Sequence, residues 1–240
     1  MFSIFNDFKL EKKVSNETIE KYKNKVPKEL IEVWRKYGFG SLLNGYLKIV
    51  NPEDYKEVLV ESYIQTEDEP IEFTSVIFAT GMGDLLIWEY VDEEYGNLVL
   101  LNYRKGKYSI IDSSLEFFFD DLQSKSYLEK YLDWNPYTDA TEKLGIVSYE
   151  ECFGYVPVLA LGGKEKVENL QKVKLKEQIY IIIDLVGPIA ELESRIYVYK
   201  YKNWCFFIKR ALILFLLQFE SYKRISKKVK WTNDQYKYNY

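Results

Sequence analysis

Four strand-forming runs crowded into residues 74–112 constrain the fold more than any other feature. TSVIFAT (74–80) and LLIWEYV (85–91) are separated only by GMGD, and NLVLLNYR (97–104) meets KYSIID (107–112) at Lys105-Gly106. β-Branched and aromatic residues fill the runs, and glycine sits in the gaps, which is the signature of successive hairpins. The segment predicts four antiparallel strands.

The same stretch, FATGMGDLLIWE (78–89), also invites a chemical reading, because two glycines flank Met82. A phosphate-cradling loop leads from a strand into a helix, whose N-terminal amides hold the anion. Here the glycines lead into a second strand, the third glycine of a dinucleotide fingerprint is missing, and no GK[ST] follows. GMGD is therefore expected to be a hairpin turn, with Asp84 a turn residue or a contact point. Gly162-Gly163-Lys164 likewise lacks phosphate-loop spacing and reads as a turn.

Helices are expected on both sides of the strands. Ser15 or Asn16 caps a short one, SNETIEKYKNK. In PKELIEVWRKYG, Leu30, Val33, Trp34 and Tyr37 recur at helical spacing, and Gly38 supplies the stop. YLKIV (46–50) is a short strand, and Asn51-Pro52-Glu53-Asp54 is a helix start with a capping side chain, proline in the first turn and acids at the positive end. Ser113-Ser114 opens LEFFFDDLQSKSYLEKYL, whose Leu115, Phe118, Phe119 and Leu122 form one apolar face. DWNPYTDA (133–140) reads as turn-rich and as a junction between two parts. In KEQIYIIIDLVGPI, Ile179, Ile182, Ile183 and Val186 share a helical face, and Gly187-Pro188 ends it. The expected fold is α+β, an antiparallel sheet with flanking helices in two fused modules, residues 1–125 and 126–189, followed by a basic aromatic tail, 190–240.

The chain contains no histidine. That removes Ser-His-Asp and Cys-His catalysis, histidine metal sites and imidazole acid–base work. Its two cysteines, Cys152 and Cys205, form no CxxC, so a reduced, cytoplasmic setting is expected. The start, MFSIFNDFKLEKK, lacks the pattern of a signal peptide, and WCFFIKRALILFLLQF (204–219) is broken by Lys209 and Arg210, so no membrane association is expected. No cofactor and no metal are expected.

Charge is unevenly placed. Residues 201–240 carry nine Lys/Arg against two acids, a net of +7, whereas residues 1–200 carry 24 basic and 35 acidic residues, a net of −11. An acidic body argues against direct nucleic-acid binding and suits a basic protein partner. The tail admits three readings: a membrane-surface arm, a nucleic-acid arm with interleaved aromatics, or an appended extension of the kind produced by read-through after a frameshift. The third makes residues 191–240 dispensable.

Two longer stretches resemble known families. VPKELIEVWRKYGFGSLLNGYLKIVNPEDY followed by FATGMGDLLIWE resembles the GAD-like domain of bacterial immunity-type proteins. GIVSYEECFGYVPVLALGGKEKVENLQKVKLKEQIYIIIDLVGPI resembles the C-terminal domain of type VI secretion immunity proteins that protect against a DNase effector. The helix, Asn-Gly and sheet at the start also look like the broader yeast cell-wall-regulator superfamily. The resemblance covers roughly residues 5–189 and stops at the tail. It implies a cytoplasmic antitoxin that binds and neutralises a cognate secreted protein toxin, with a nuclease as the expected class, without catalysis.

The residues offer contact candidates for such a role. The acidic runs Glu67-Asp68-Glu69 and Asp92-Glu93-Glu94, with Asp84, could occupy the basic groove of a nuclease and speed association, or be solvated loops. Tyr63, Trp88, Tyr90 and Tyr95 lie near them as interface anchors, although Trp88 equally fits a core. A regulatory adaptor of the same fold is the second reading. A hydrolase using paired carboxylates is the third, with Asp84, Asp112 and Glu151 as its candidates.

Overall fold

The computed structural model describes residues 3–64, 74–91 and 95–190. The chain divides into two units, residues 1–191 and 192–240, and the second lies outside the described residues. So does the expected tail, apart from its first residue, which ends the last strand.

The sheet grows from the predicted hairpins. β5 (Thr74–Thr80), β6 (Leu85–Tyr90), β7 (Gly96–Asn102) and β8 (Lys107–Asp112) pair antiparallel in sequence order. At the β7–β8 connection Gly106 takes φ 59° and ψ 40°, a left-handed conformation that glycine adopts without steric cost. β1 (Lys9–Lys12), β2 (Phe39–Leu42) and β3 (Leu47–Ile49) extend the sheet on the β5 side to seven strands. β1, at the edge, reads KLEK and is exposed throughout, so charged side chains guard its free hydrogen-bonding groups.

Every residue of β5 is buried, because both faces of the sheet are covered. Leu86, Trp88, Leu98 and Leu100 face one apolar cluster, whereas Leu85, Ile87, Val99 and Leu101 face another. A register shift between Val76 and Phe78 lets the adjacent Ile77 and Phe78 both join the first cluster, as a bulge permits. Over the first face lie α1 (Asn16–Tyr22), α2 (Lys28–Tyr37), α4 (Leu115–Asp121), α5 (Lys125–Tyr131) and α6 (Trp134–Leu144). α3 (Pro52–Ser62) and α7 (Leu175–Val186) cover the second. The architecture is helix, sheet, helix, the α+β antiparallel fold expected from sequence.

The caps follow the expected chemistry. Ser15 Oγ accepts from the Thr18 N–H at 3.1 Å, and Asn51 Oδ1 accepts from the Glu53 N–H at 3.3 Å. α2 ends at Gly38 with φ 85°, and α7 ends at Gly187 with φ 85°. Within α7, Ile179 and Ile182 are buried, but Val186 is 55% exposed and does not share their packed face.

Two expectations are corrected. LEFFFDDLQSKSYLEKYL is two helices, because Ser124 caps a new one by accepting from the Tyr127 N–H at 3.4 Å. DWNPYTDA is largely helix α6 and not a turn. Pro136 falls in the first helical turn, where its missing N–H leaves no hydrogen bond unmade. The turn character is confined to Asp133, whose φ is 47°.

β9 (Glu151–Tyr155) and β10 (Leu170–Lys174) form a separate antiparallel pair, and β4 (Tyr63–Ile64) pairs in parallel with β11 (Ile189–Ala190). β9 runs close to the GMGD turn: the Phe153 N–H donates to the Gly81 carbonyl at 2.7 Å.

Candidate functional site

GMGD is the turn of the β5–β6 hairpin, and its four backbone amides are already engaged. The Gly81 N–H donates to the Tyr46 carbonyl and the Gly83 N–H to the Thr80 carbonyl, while those of Met82 and Asp84 donate to Thr80 Oγ1 at 3.2 and 3.1 Å. No amide is left to cradle a phosphate. The two glycines have separate structural causes. Gly83 has φ 84°, and a Cβ on Gly81 would stand 2.3 Å from Cε2 of Tyr137, whose ring lies on the turn.

Asp84 is in the interior, 2% exposed, and so is not on the surface as a toxin contact requires. Its carboxylate faces Arg104, accepting from Nη2 and, at 3.4 Å, from Nε. Arg104 Nη2 also donates to Asp133 Oδ2 at 3.1 Å, and Lys105 Nζ donates to Asp133 Oδ1 at 2.9 Å. Burial works against the Arg104 charge, but Asp84 and Asp133 outweigh it and hold the guanidinium above its ordinary range. Burial likewise opposes the Asp133 charge, yet Arg104 and Lys105 keep its carboxyl below the usual carboxylate range. The network joins the β5–β6 turn, the end of β7 and the start of α6. No sequence spacing signals it, because its members are brought together only by the sheet register and the packing of α6.

The three carboxylates of the hydrolase reading have separate local partners. Asp84 is paired with Arg104. Asp112 Oδ1 accepts from the Ser113 and Ser114 N–H groups at 2.7 and 2.9 Å. Glu151 Oε2 accepts from the Ser148 N–H and hydroxyl at 3.2 and 2.8 Å. Among the described residues no group of three or more Cys, Asp or Glu side chains could hold a metal ion. Cys152 is buried and free, and burial pushes its thiol up to about 12, so it is a poor nucleophile. Lys48, also fully buried, donates to the Glu151 carbonyl, and burial lowers its ammonium to about 8.

Both acidic runs, Glu67-Asp68-Glu69 and Asp92-Glu93-Glu94, lie outside the described residues. Their bracketing strand ends are described. Thr74 is the register partner of Glu89, and Tyr90 of Gly96, so the chain enters β5, leaves β6 and enters β7 at one end of the sheet. Four candidate aromatics lie there. Trp88 is core at 5% exposure and packs edge-on to Tyr90 at 6.1 Å. Tyr63 is buried, donates to Glu89 Oε1 at 3.0 Å and stacks on Tyr108. Tyr90 is half-buried, and Tyr95 is 67% exposed. Of the four, Tyr95 has the surface an interface anchor needs.

No helix among the described residues is long and apolar enough to cross a membrane. Residues 2–105 match the family described as GAD-like domain, and residues 112–186 match the family described as T6SS immunity protein Tdi1, C-terminal. The two matches fall in the order that the sequence motifs indicate. A solved structure, Atu4351 from Agrobacterium tumefaciens, superposes with a TM-score of 0.63 at 19% identity, covering 80% of this chain and 92% of that one, and shares the fold. No curated protein matches the chain.

Proposed function

We propose that this chain, a GAD-like domain followed by a type VI secretion immunity C-terminal domain, is an antitoxin that binds a cognate secreted toxin and blocks it by occupancy, without turnover. The succession of the two matched domains over residues 2–105 and 112–186 carries the reading. The internal engagement of Asp84, Asp112 and Glu151 supports binding over hydrolysis. A nuclease is the toxin class best suited to an acidic body, since a nucleic-acid groove is basic and an acidic surface would compete for it. In this reading the sheet end that brackets the two acidic runs is a contact region, with Tyr95 as an anchor.

The test is protection. The full chain is co-expressed with the protein encoded immediately upstream, and survival and chromosomal DNA integrity are compared with the upstream protein alone. Rescue, together with a stoichiometric complex on size exclusion, is expected. An active toxin that neither binds the folded chain nor is restrained by it would refute the proposal and favour a regulatory adaptor.

A further inference from the structure

The outer faces of α3 and α7 are built alike. The two helices lie side by side and run the same way. Lys176 Nζ, near the start of α7, donates to the Asp54 carbonyl at 2.5 Å and stands 4.8 Å from the centre of the Tyr55 ring. Farther along, burial and the charges of Glu61 and Glu57 raise the Tyr180 hydroxyl above its ordinary range, which places it beside α3. Beyond the helices, β4 and β11 pair in parallel.

Each helix turns one stripe to solvent. Along α3 and its exit into β4, Glu57, Val60, Glu61 and Ile64 are all exposed. Along α7, so are Glu177, Ile181, Asp184 and Leu185. Both sets follow helical spacing, and both mix acids with apolar residues. The four apolar side chains are between 45% and 54% exposed. Neither stripe contains a Lys or Arg. Lys56 lies to one side of the first, and Lys176 is held by Asp54 and Tyr55. Among the described residues, none of the four carboxylates makes an ion pair. Glu57 and Glu61 stand one helical turn apart, a like-charge spacing that destabilises a helix.

The charges decide what can cover this face. Nucleic-acid phosphates and anionic lipid headgroups are repelled by it. A second copy docking through the same face would set acids against acids, because a twofold interface brings the same patch from both sides. A protein surface carrying Lys and Arg around apolar side chains meets both needs, covering the apolar residues and giving the carboxylates partners. The face also leads into the first acidic run, since β4 ends at Ile64 and Glu67 follows closely. We infer that the outer face of α3 and α7 docks a basic surface of the partner protein that has apolar side chains at its centre. The inference rests on the antitoxin reading.

Two double substitutions in the full chain test it, with an inactive variant of the protein encoded immediately upstream as the probe. Ile181→Gln with Leu185→Gln removes apolar contacts and keeps the charges. It should weaken binding at least about tenfold, mostly through faster dissociation, and leave the melting temperature of the free chain unchanged. Glu57→Lys with Glu61→Lys reverses the charge and keeps the apolar residues. It should slow association, most of all at low salt, without lowering the melting temperature. Wild-type binding by both variants overturns the inference and leaves the antitoxin proposal standing. A markedly lower melting temperature of the free glutamine variant would mean that this chain covers the face itself. A dimer of the free wild type that the glutamine variant loses would mean that a second copy does, and either result overturns the inference too. Failure of the wild-type chain to bind removes the antitoxin proposal itself, and this inference with it.

Discussion

Replacing Lys48 by methionine should stabilise the protein, and the size of the effect should depend on pH in a prescribed way. Lys48 sits in β3 between Leu47 and Ile49, with no exposed surface, and its ammonium donates to the Glu151 carbonyl. Burial lowers its pKa from 10.5 to about 8. A tenfold change in proton affinity corresponds to about 1.4 kcal/mol, so holding the charge in the folded state costs about 3 kcal/mol at pH 7. Methionine matches the aliphatic stem and carries no charge, but it ends one atom short of the ammonium and leaves the Glu151 carbonyl without that donor, a loss of about 1 kcal/mol. The net expectation is a gain of about 2 kcal/mol at pH 7. Between pH 8 and 10.5 the folded wild type has released a proton that the unfolded chain still holds, so raising the pH favours its folding. Cys152 acts in the opposite sense. Burial keeps its thiol protonated up to about 12, whereas the unfolded thiol ionises near about 8.5, so raising the pH favours unfolding. Both proteins contain Cys152, but Lys48 and Cys152 interact, so the difference between them reads Lys48 together with that coupling. Urea unfolding followed by tryptophan fluorescence from pH 7 to 10.5 measures it. The advantage of Lys48→Met should hold to about pH 8 and vanish by about 10.5. Parallel pH profiles, or a destabilised variant at pH 7, would refute the reasoning.

Other perturbations follow from the same packing. Asp84→Ala leaves the buried Arg104 with Asp133 as a remaining carboxylate and should cost about 2–3 kcal/mol, below the about 3–5 kcal/mol of a buried charge left with no partner, and adding Arg104→Met should recover part of it; a double-mutant cycle in urea reads both. Gly81→Ala drives a methyl group to 2.3 Å from the Tyr137 ring and should lower stability by about 2–3 kcal/mol in the same assay. Reversing Glu67, Asp68, Glu69, Asp92, Glu93 and Glu94 to lysine should slow association with the toxin and flatten its salt dependence, with a smaller change in dissociation. Stopped-flow mixing at several ionic strengths separates the two, and an unchanged association rate would remove the acidic runs from the interface.

The strands were legible because β5 to β8 are consecutive hairpins, with β-branched and aromatic runs divided by glycine. Local rules sufficed for them, and for the caps at Ser15, Asn51 and Ser114. α6 was not legible, since Asn135, Pro136 and Asp133 carry turn chemistry wherever they occur. Only the placement of the proline in a first turn, with Asp133 drawn to Arg104 and Lys105, lets the helix begin there. Asp84 failed as a surface candidate for a related reason. A carboxylate in a hairpin turn is ordinarily solvated, but this turn is covered by Tyr137 from α6 and by β9, residues more than 50 positions away in sequence. Periodicity carries no information about such an approach.

That covering bears on whether residues 1–125 can stand alone. Without the rest of the chain, the GMGD turn loses the Tyr137 ring, the hydrogen bond from the Phe153 N–H to the Gly81 carbonyl, and the Asp133 carboxylate that shares Arg104. The Tyr46 hydroxyl loses the Leu132 carbonyl, Lys48 loses the Glu151 carbonyl, and the sheet face over Leu85 and Leu101 loses α7. Each break exposes or orphans a group that is now buried. A fragment of residues 1–125 should therefore lack a cooperative urea transition and bind a hydrophobic dye, whereas the full chain should show a sharp transition. A fragment that melts cooperatively would show that the GAD-like part holds its own core and that the second module is an addition to it. Loss of cooperativity would instead mean that the two modules share one core and fold as a single unit.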